Sequence, residues 1–137
     1  MSVQIINQSL FDSLISEAKK SSRLRKNYNF HESLDDKCQR MLVALEPGTV
    51  MPIHRHKVDE IQILLKGSMK VKIYNDEGII IEEHILNPKL GQYGIQVSAN
   101  TWHSLEVLES DTVVFEVKEG PYTPNDKENI LVPNINI

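Results

Sequence analysis

The chain has 137 residues, 40% of them apolar and 25% charged, which suits one domain with one sizeable core. A formal net charge of -4 gives no electrostatic footing for nucleic acid or an anionic membrane surface, and no apolar run reaches the ~18 residues that a membrane span needs. Cys38 is the only cysteine, so no intramolecular disulfide can form; with no basic and apolar leader at the start, a cytoplasmic protein is expected.

The first element in the chain is a helix over "SLFDSLISEAKKSS". Leu10, Phe11, Leu14, Ile15 and Ala18 fall on one face at helical spacing. Ser9 and Asp12 form a weak capping box, and Lys19 and Lys20 suit the negative end of the helix dipole. The stretch from Ser21 to Gln39 has no clean period and is expected to be irregular, so residues 1–39 are taken as an N-terminal extension. Cys38 within it is expected to be a small buried residue rather than a nucleophile.

From Arg40 the pattern changes to short strands separated by turn residues, with no helix between them. "SMKVKIY" alternates, with Met69, Val71 and Ile73 on one face. "IIIEEHIL", "LGQYGIQV", "WHSLEVL" and "TVVFEVK" follow. Seven or eight such strands predict an antiparallel sandwich or barrel over residues 40–118. The tail, residues 119–137, carries three of the six prolines and is expected to lie irregularly over the barrel or over a partner chain. Open strand edges and these two flanking covers predict a homodimer.

One of these strands carries unusual residues. In "GTVMPIHRHKVDEIQILLKG", Gly48 to Gly67, His54 and His56 share strand parity and project together. Glu60 has the same parity, after a bend at Lys57 to Asp59. Two imidazoles and a carboxylate suit a borderline divalent ion such as zinc, iron, manganese or nickel. His103, in "WHSLEVL", is the natural fourth ligand, with Leu105 and Val107 sharing its inward parity.

The spacing G-x5-H-x-H-x3-E-x6-G resembles the first cupin motif without a mismatch. The second motif is present in degraded form: Ser98 stands for its proline, Asn100 for its glycine and Val107 for its asparagine, while His103 is kept. Asn is the ordinary residue most tolerant of the left-handed backbone that such a glycine adopts. Over about Arg23 to Lys127 the chain is also similar to the WbuC-type cupin-fold metalloproteins, through "RLRKNYNFHESLDDKCQRMLVALEPGT", "PIHRHKVDE", "TWHSLEV" and "VFEVKEGPYTP". That resemblance implies an all-β fold: a double-stranded β-helix, or jelly-roll barrel, with an N-terminal helix and an irregular C-terminal tail. It also implies one bound divalent metal ion and a surface-polysaccharide context.

Further residues are candidates for ligand contact. Arg23, Arg25 and Arg40 could hold the phosphates of a nucleotide-linked sugar, against the simpler reading of solvated or carboxylate-paired side chains. Arg55 has the wrong parity for the interior. Gln62 shares parity with Glu60 and is expected to support the metal or touch a substrate. His31, with Asn29 folded over the barrel mouth, and Tyr122 are the candidates for a catalytic acid or base. Tyr74 and Tyr93 are expected to pack. Trp102 is expected to pack against another sheet or subunit, and His84 to lie at the surface. The function expected is a metal-dependent enzyme of isomerase or epimerase type acting on a small polar molecule, with a nucleotide-linked sugar as the example. A non-catalytic sugar-binding module and an iron-dependent oxygenase stand beside it, because the fold hosts all three.

Overall fold

The computed structural model describes residues 3–124 and 127–132. One helix, α1 (Gln8–Lys20), precedes ten strands: β1 (Arg25–Asn29), β2 (Cys38–Leu45), β3 (Ile53–His54), β4 (Glu60–Lys66), β5 (Met69–Tyr74), β6 (Ile80–Leu86), β7 (Gly94–Val97), β8 (Trp102–Val107), β9 (Thr112–Glu119) and β10 (Ile130–Leu131). They form two five-stranded antiparallel sheets, ordered β1-β2-β9-β4-β7 and β10-β3-β8-β5-β6. This is the all-β jelly roll with an N-terminal helix that the strand pattern and motif spacing predict.

The helix begins two residues before its apolar pattern. Asn7, not Ser9, is the N-cap, and its side chain accepts from the Leu10 N–H at 3.1 Å. Leu14, Ile15 and Ala18 are buried on the outer face of the first sheet against Leu42, Ala44 and Val113. Strands β2 and β9 are therefore covered on both faces, which is why "RMLVAL" and "TVVF" read as continuous apolar runs. The inner core holds Met41, Val43, Leu45, Leu64, Met69, Val71, Leu86, Val107 and Val114.

Strands extend on both sides of residues 40–118. The stretch expected to be irregular contains β1, paired with β2 from Arg25↔Leu45 to Asn29↔Met41. Its period was hidden because Tyr28 and Phe30 pack beneath α1 while Arg25 and Asn27 face the interior. The tail supplies β10, which pairs with β3; residues 133–137 lie outside the described residues. Cys38 is exposed, correcting the buried reading. It starts β2 at the rim, where no layer covers it.

Gly48 and Gly67, the ends of the first motif, have φ of 98° and 88°. A Cβ on Gly67 would sit 2.2 Å from Thr112 Oγ1 and 2.7 Å from Thr112 Cα, so both conformation and space require glycine there. Gly91 has φ 76° but open space around it. Gly67→Ala is expected to cost at least about 2 kcal/mol in urea denaturation and Gly91→Ala about 1 kcal/mol, the left-handed cost alone. Equal losses in the two variants would contradict the steric account.

Candidate metal centre

The ligand-type residues come from a two-residue strand, the loop after it and two further strands. His54 on β3 lies opposite His103 on β8 in the ladder, and their rings stand 4.3 Å apart, centre to centre. His56 follows the strand end, at ring distances of 5.0 Å from His54 and 5.7 Å from His103. One ring nitrogen from each of the three can be chosen so that all lie within 4.8 Å of one another, a group that could hold a metal ion. Glu60 opens β4 beside them, with Oε2 3.2 Å from His56 Nε2 and Oε1 3.9 Å from His103 Nε2. The structure thus brings the four expected ligands to one end of the barrel interior.

Two backbone carbonyls set the rings. His54 Nδ1 lies 2.8 Å from the Pro52 carbonyl oxygen, and His103 Nδ1 lies 2.8 Å from that of Thr101. A neutral ring donating from Nδ1 leaves Nε2 as a bare lone pair, the form a metal takes. His103 Nε2 is buried and has no hydrogen-bond partner. An orphaned buried nitrogen beside two more imidazoles and a carboxylate fits a borderline divalent ion.

Loop contacts hold the pieces together. The Asn100 N–H donates to the His56 carbonyl at 2.7 Å, and the Ala99 N–H donates to Asp59 at 2.8 Å. Asn100 has φ 62°, the left-handed residue expected at the degraded glycine position. Val107, in place of the motif's asparagine, is part of the inner core. Arg55 points away from the interior, as its parity requires. Its guanidinium lies 4.3 Å from the centre of the Trp102 ring, and it donates to the Glu128 carbonyl at 3.2 Å. Trp102 therefore packs against Arg55 and donates to Asp76 at 3.0 Å.

The centre lies in a cavity of about 230 Å³. Gln62 is buried in it; its amide donates to Glu60 Oε1 at 2.5 Å, and its own Oε1 has no protein partner. Arg23, Arg25 and Tyr122 also line this cavity. Two expected residues do not. Arg40 has the parity of Leu42 and Ala44, the face turned toward α1, and it bonds the Cys38 carbonyl at 2.9 Å and pairs with Asp36 at 3.6 Å. His31 is buried outside the cavity, its Nδ1 accepting from the Arg40 N–H at 3.1 Å. That side-chain bond caps the end of the β1–β2 pairing, which the Phe30 N–H carries to the Arg40 carbonyl at 2.9 Å. His84 lies on β6, paired with Glu82 at 3.3 Å.

Glu116 and Lys118 were missed. Both line the cavity, and in the β4–β9 ladder Gln62 lies opposite Glu116 and Glu60 opposite Lys118. The signal was present: Val114, Glu116 and Lys118 share the inward parity of β9. Burial, and then the nearby charge of Glu60, push the Glu116 carboxyl up to about 8. Burial would also raise Glu60, but the hydrogen bond from His56 and the charges of His56, Lys118 and His103 hold it down at about 2. Burial and the neighbouring His103 push His54 down to about 4, and burial lowers His103.

Fold and site together define a cupin-type barrel with a candidate metal centre. The chain belongs to the family described as "Domain of unknown function (DUF6016)", whose model matches residues 6–86. No curated protein matches. Among solved structures the chain is similar to KdgF from Halomonas sp., at 20% identity and TM-score 0.57 over 72% of this chain and 82% of that one. It is similar to a cupin superfamily protein from Desulfitobacterium hafniense DCB-2, at 14% identity and TM-score 0.57 over 69% and 76%. It is also similar to a conserved protein of unknown function from Streptococcus pyogenes, at 10% identity and TM-score 0.59 over 90% and 92%. At these identities the likeness shows a shared fold.

Two outcomes follow from the geometry. His103→Ala is expected to weaken binding of a divalent ion at least ~10-fold by elemental analysis after dialysis, since it removes an oriented ligand; His84→Ala should leave it unchanged. Full metal content in His103→Ala would remove His103 from the centre. For metal-free protein, His54 has a folded pKa of about 4 against an ordinary 6.5. The unfolded chain then binds more protons between these values, so stability is full above pH 6.5 and falls as pH drops toward 4. The loss is on the order of 3 kcal/mol at 1.36 kcal/mol per unit. His54→Gln should flatten that part of a urea-midpoint profile; an unchanged slope would refute the assignment.

Proposed function

We propose that the protein is a metal-dependent enzyme that moves a proton on a small polar molecule held in the cavity, chemistry of the isomerase or epimerase type. The observation that supports it most is the cluster of His54, His56 and His103 nitrogens within 4.8 Å, with Glu116 lining the same cavity from the other sheet. His54, His56, Glu60 and His103 would hold the ion, and a bound divalent ion supplies Lewis acidity toward a carbonyl or hydroxyl oxygen.

The chain's own groups would handle the proton. Glu116 stands one inward position from the Glu60–Lys118 pair on β9. Its raised pKa keeps it protonated at neutral pH and lets it exchange a proton close to that pH, the condition for efficient acid–base work. Gln62 ties down one oxygen of Glu60, and its own carbonyl oxygen is left to accept from a ligand hydroxyl. Tyr122 lines the cavity and could donate to ligand oxygen there.

The finer substrate reading belongs to the same proposal. The WbuC-like stretches, with "PIHRHKVDE" at their centre, favour a nucleotide-linked sugar in surface-polysaccharide synthesis. A cavity of about 230 Å³ lies below the ~300–1,000 Å³ that buries a drug-sized ligand, so the sugar would enter and the nucleotide would lie outside.

Deuterium exchange into nucleotide-linked sugars in heavy water, followed by NMR with zinc-, manganese- or iron-loaded protein, tests this. Exchange is expected in the loaded wild type and should fall ~10²–10⁴-fold in Glu116→Gln with metal content intact. Loaded protein that binds a sugar but exchanges no proton would make it a binding module. Wild-type exchange in Glu116→Gln would remove Glu116 from the chemistry.

A further inference from the structure

Strand β1 lines the cavity with polar side chains where a barrel wall ordinarily presents apolar ones. Arg25 and Asn27 face the cavity, and Arg23, just ahead of the left-handed Leu24 (φ 56°), joins them. Asn27 Nδ2 lies 3.5 Å from Met41 Sδ. Arg25 is half-buried; its Nη1 donates to the Val50 carbonyl at 3.0 Å and touches Met51 Sδ.

Neither Arg23 nor Arg25 has a carboxylate within ion-pair distance among the described residues. Arg40, which faces the other way, does have one. Burial lowers the pKa of Arg25, and the charge of Arg23 lowers it further, so the two guanidiniums stand close enough to repel each other. Arg25 is half-buried and Arg23 exposed, and an anion between or beside two such like charges at one cavity relieves their repulsion. No acidic side chain of the described residues supplies it.

We infer that the β1 end of the cavity is an oxyanion site, in which Arg23 and Arg25 clamp the carboxylate or phosphate group of a small organic ligand. Forked donors match a planar carboxylate or a phosphate face, and Asn27 adds an amide. The ligand's other end offers an oxygen toward the histidine cluster, a part that rests on the metal-centre reading above. A ligand with no anionic group leaves both guanidiniums unmatched.

Calorimetry on zinc-loaded protein tests the assignment with malate, glycerol 3-phosphate and glycerol as probes. At least one charged probe should bind and glycerol should not; the stronger of the two identifies the anionic group. Arg23→Gln and Arg25→Gln should each weaken that probe by at least about tenfold, a difference of one decade in Kd, with zinc content unchanged. Arg23 is exposed, so its variant tests the site without burdening the fold. Arg25→Lys should restore part of the affinity, and Lys26→Gln, on the outward face of the same strand, none of the loss. Charged probes that bind no better than glycerol, or arginine variants that bind like wild type, would overturn the oxyanion site. Failure of the wild type to take up zinc would instead sink the metal reading. The same titrations on metal-free protein would then still decide the arginine clamp.

Discussion

Everything at the site depends on one ladder position, the pairing of His54 with His103 across β3 and β8. β3 has only two residues, so it cannot hold its register by length. It is held from both sides: by β8 on one edge and by β10, with Ile130 opposite His54, on the other. Arg55 adds the clamp. Its backbone N–H donates to the Asn129 carbonyl at 3.1 Å while its guanidinium lies over Trp102, next to His103 in the chain. A residue with the wrong parity for the site thus fixes the two residues with the right one. The C-terminal stretch is part of the same device, because without β10 the strand carrying His54 would be an unsupported edge.

The second constraint is electrostatic. Glu60 and Glu116 share one poorly solvated interior, and two carboxylates there cannot both ionise cheaply. The neighbours decide between them. The hydrogen bond from His56, 3.2 Å from Glu60 Oε2, and the Lys118 ammonium, 3.8 Å from it, leave the charge on Glu60 and the proton on Glu116. The two acids are chemically identical side chains given different states by their neighbours. One is suited to hold an ion and the other to carry a proton.

Much of this was legible in the sequence, and the misses have physical causes. Strand parity placed His54, His56, Glu60, Gln62 and His103 because each lies on a half-buried strand with a period of two, or at its end. The same parity rule would have excluded Arg40, which alternates with Met41 and Val43, had β2 not been apolar on both faces. It would also have found Glu116 and Lys118. On β4 the inward row runs polar to apolar, Glu60, Gln62, Leu64; on β9 it runs apolar to polar, Val114, Glu116, Lys118. Only antiparallel pairing brings the two polar halves to one end, and that pairing is not visible within either strand. His31 lies away from the cavity because the β1–β2 pairing runs on through Phe30, which its local sequence does not signal.

The polar end of the barrel also explains the helix. Inward positions that elsewhere would bury aliphatic side chains are occupied here by histidine, glutamate, glutamine and arginine, and each such exchange forfeits roughly 1.5–3 kcal/mol of burial. The outer face of the first sheet adds apolar burial of its own. Leu14, Ile15 and Ala18 of α1 close over Leu42, Ala44 and Val113, forming a second core that never meets the cavity. The cover reaches β1, β2 and β9 but leaves Ile61, Ile63 and Leu65 of β4 about two-fifths exposed, at 42%, 38% and 41%. Stability and chemistry are thus separated by the thickness of one sheet: the face toward α1 keeps the strands together, and the other face is free to be polar.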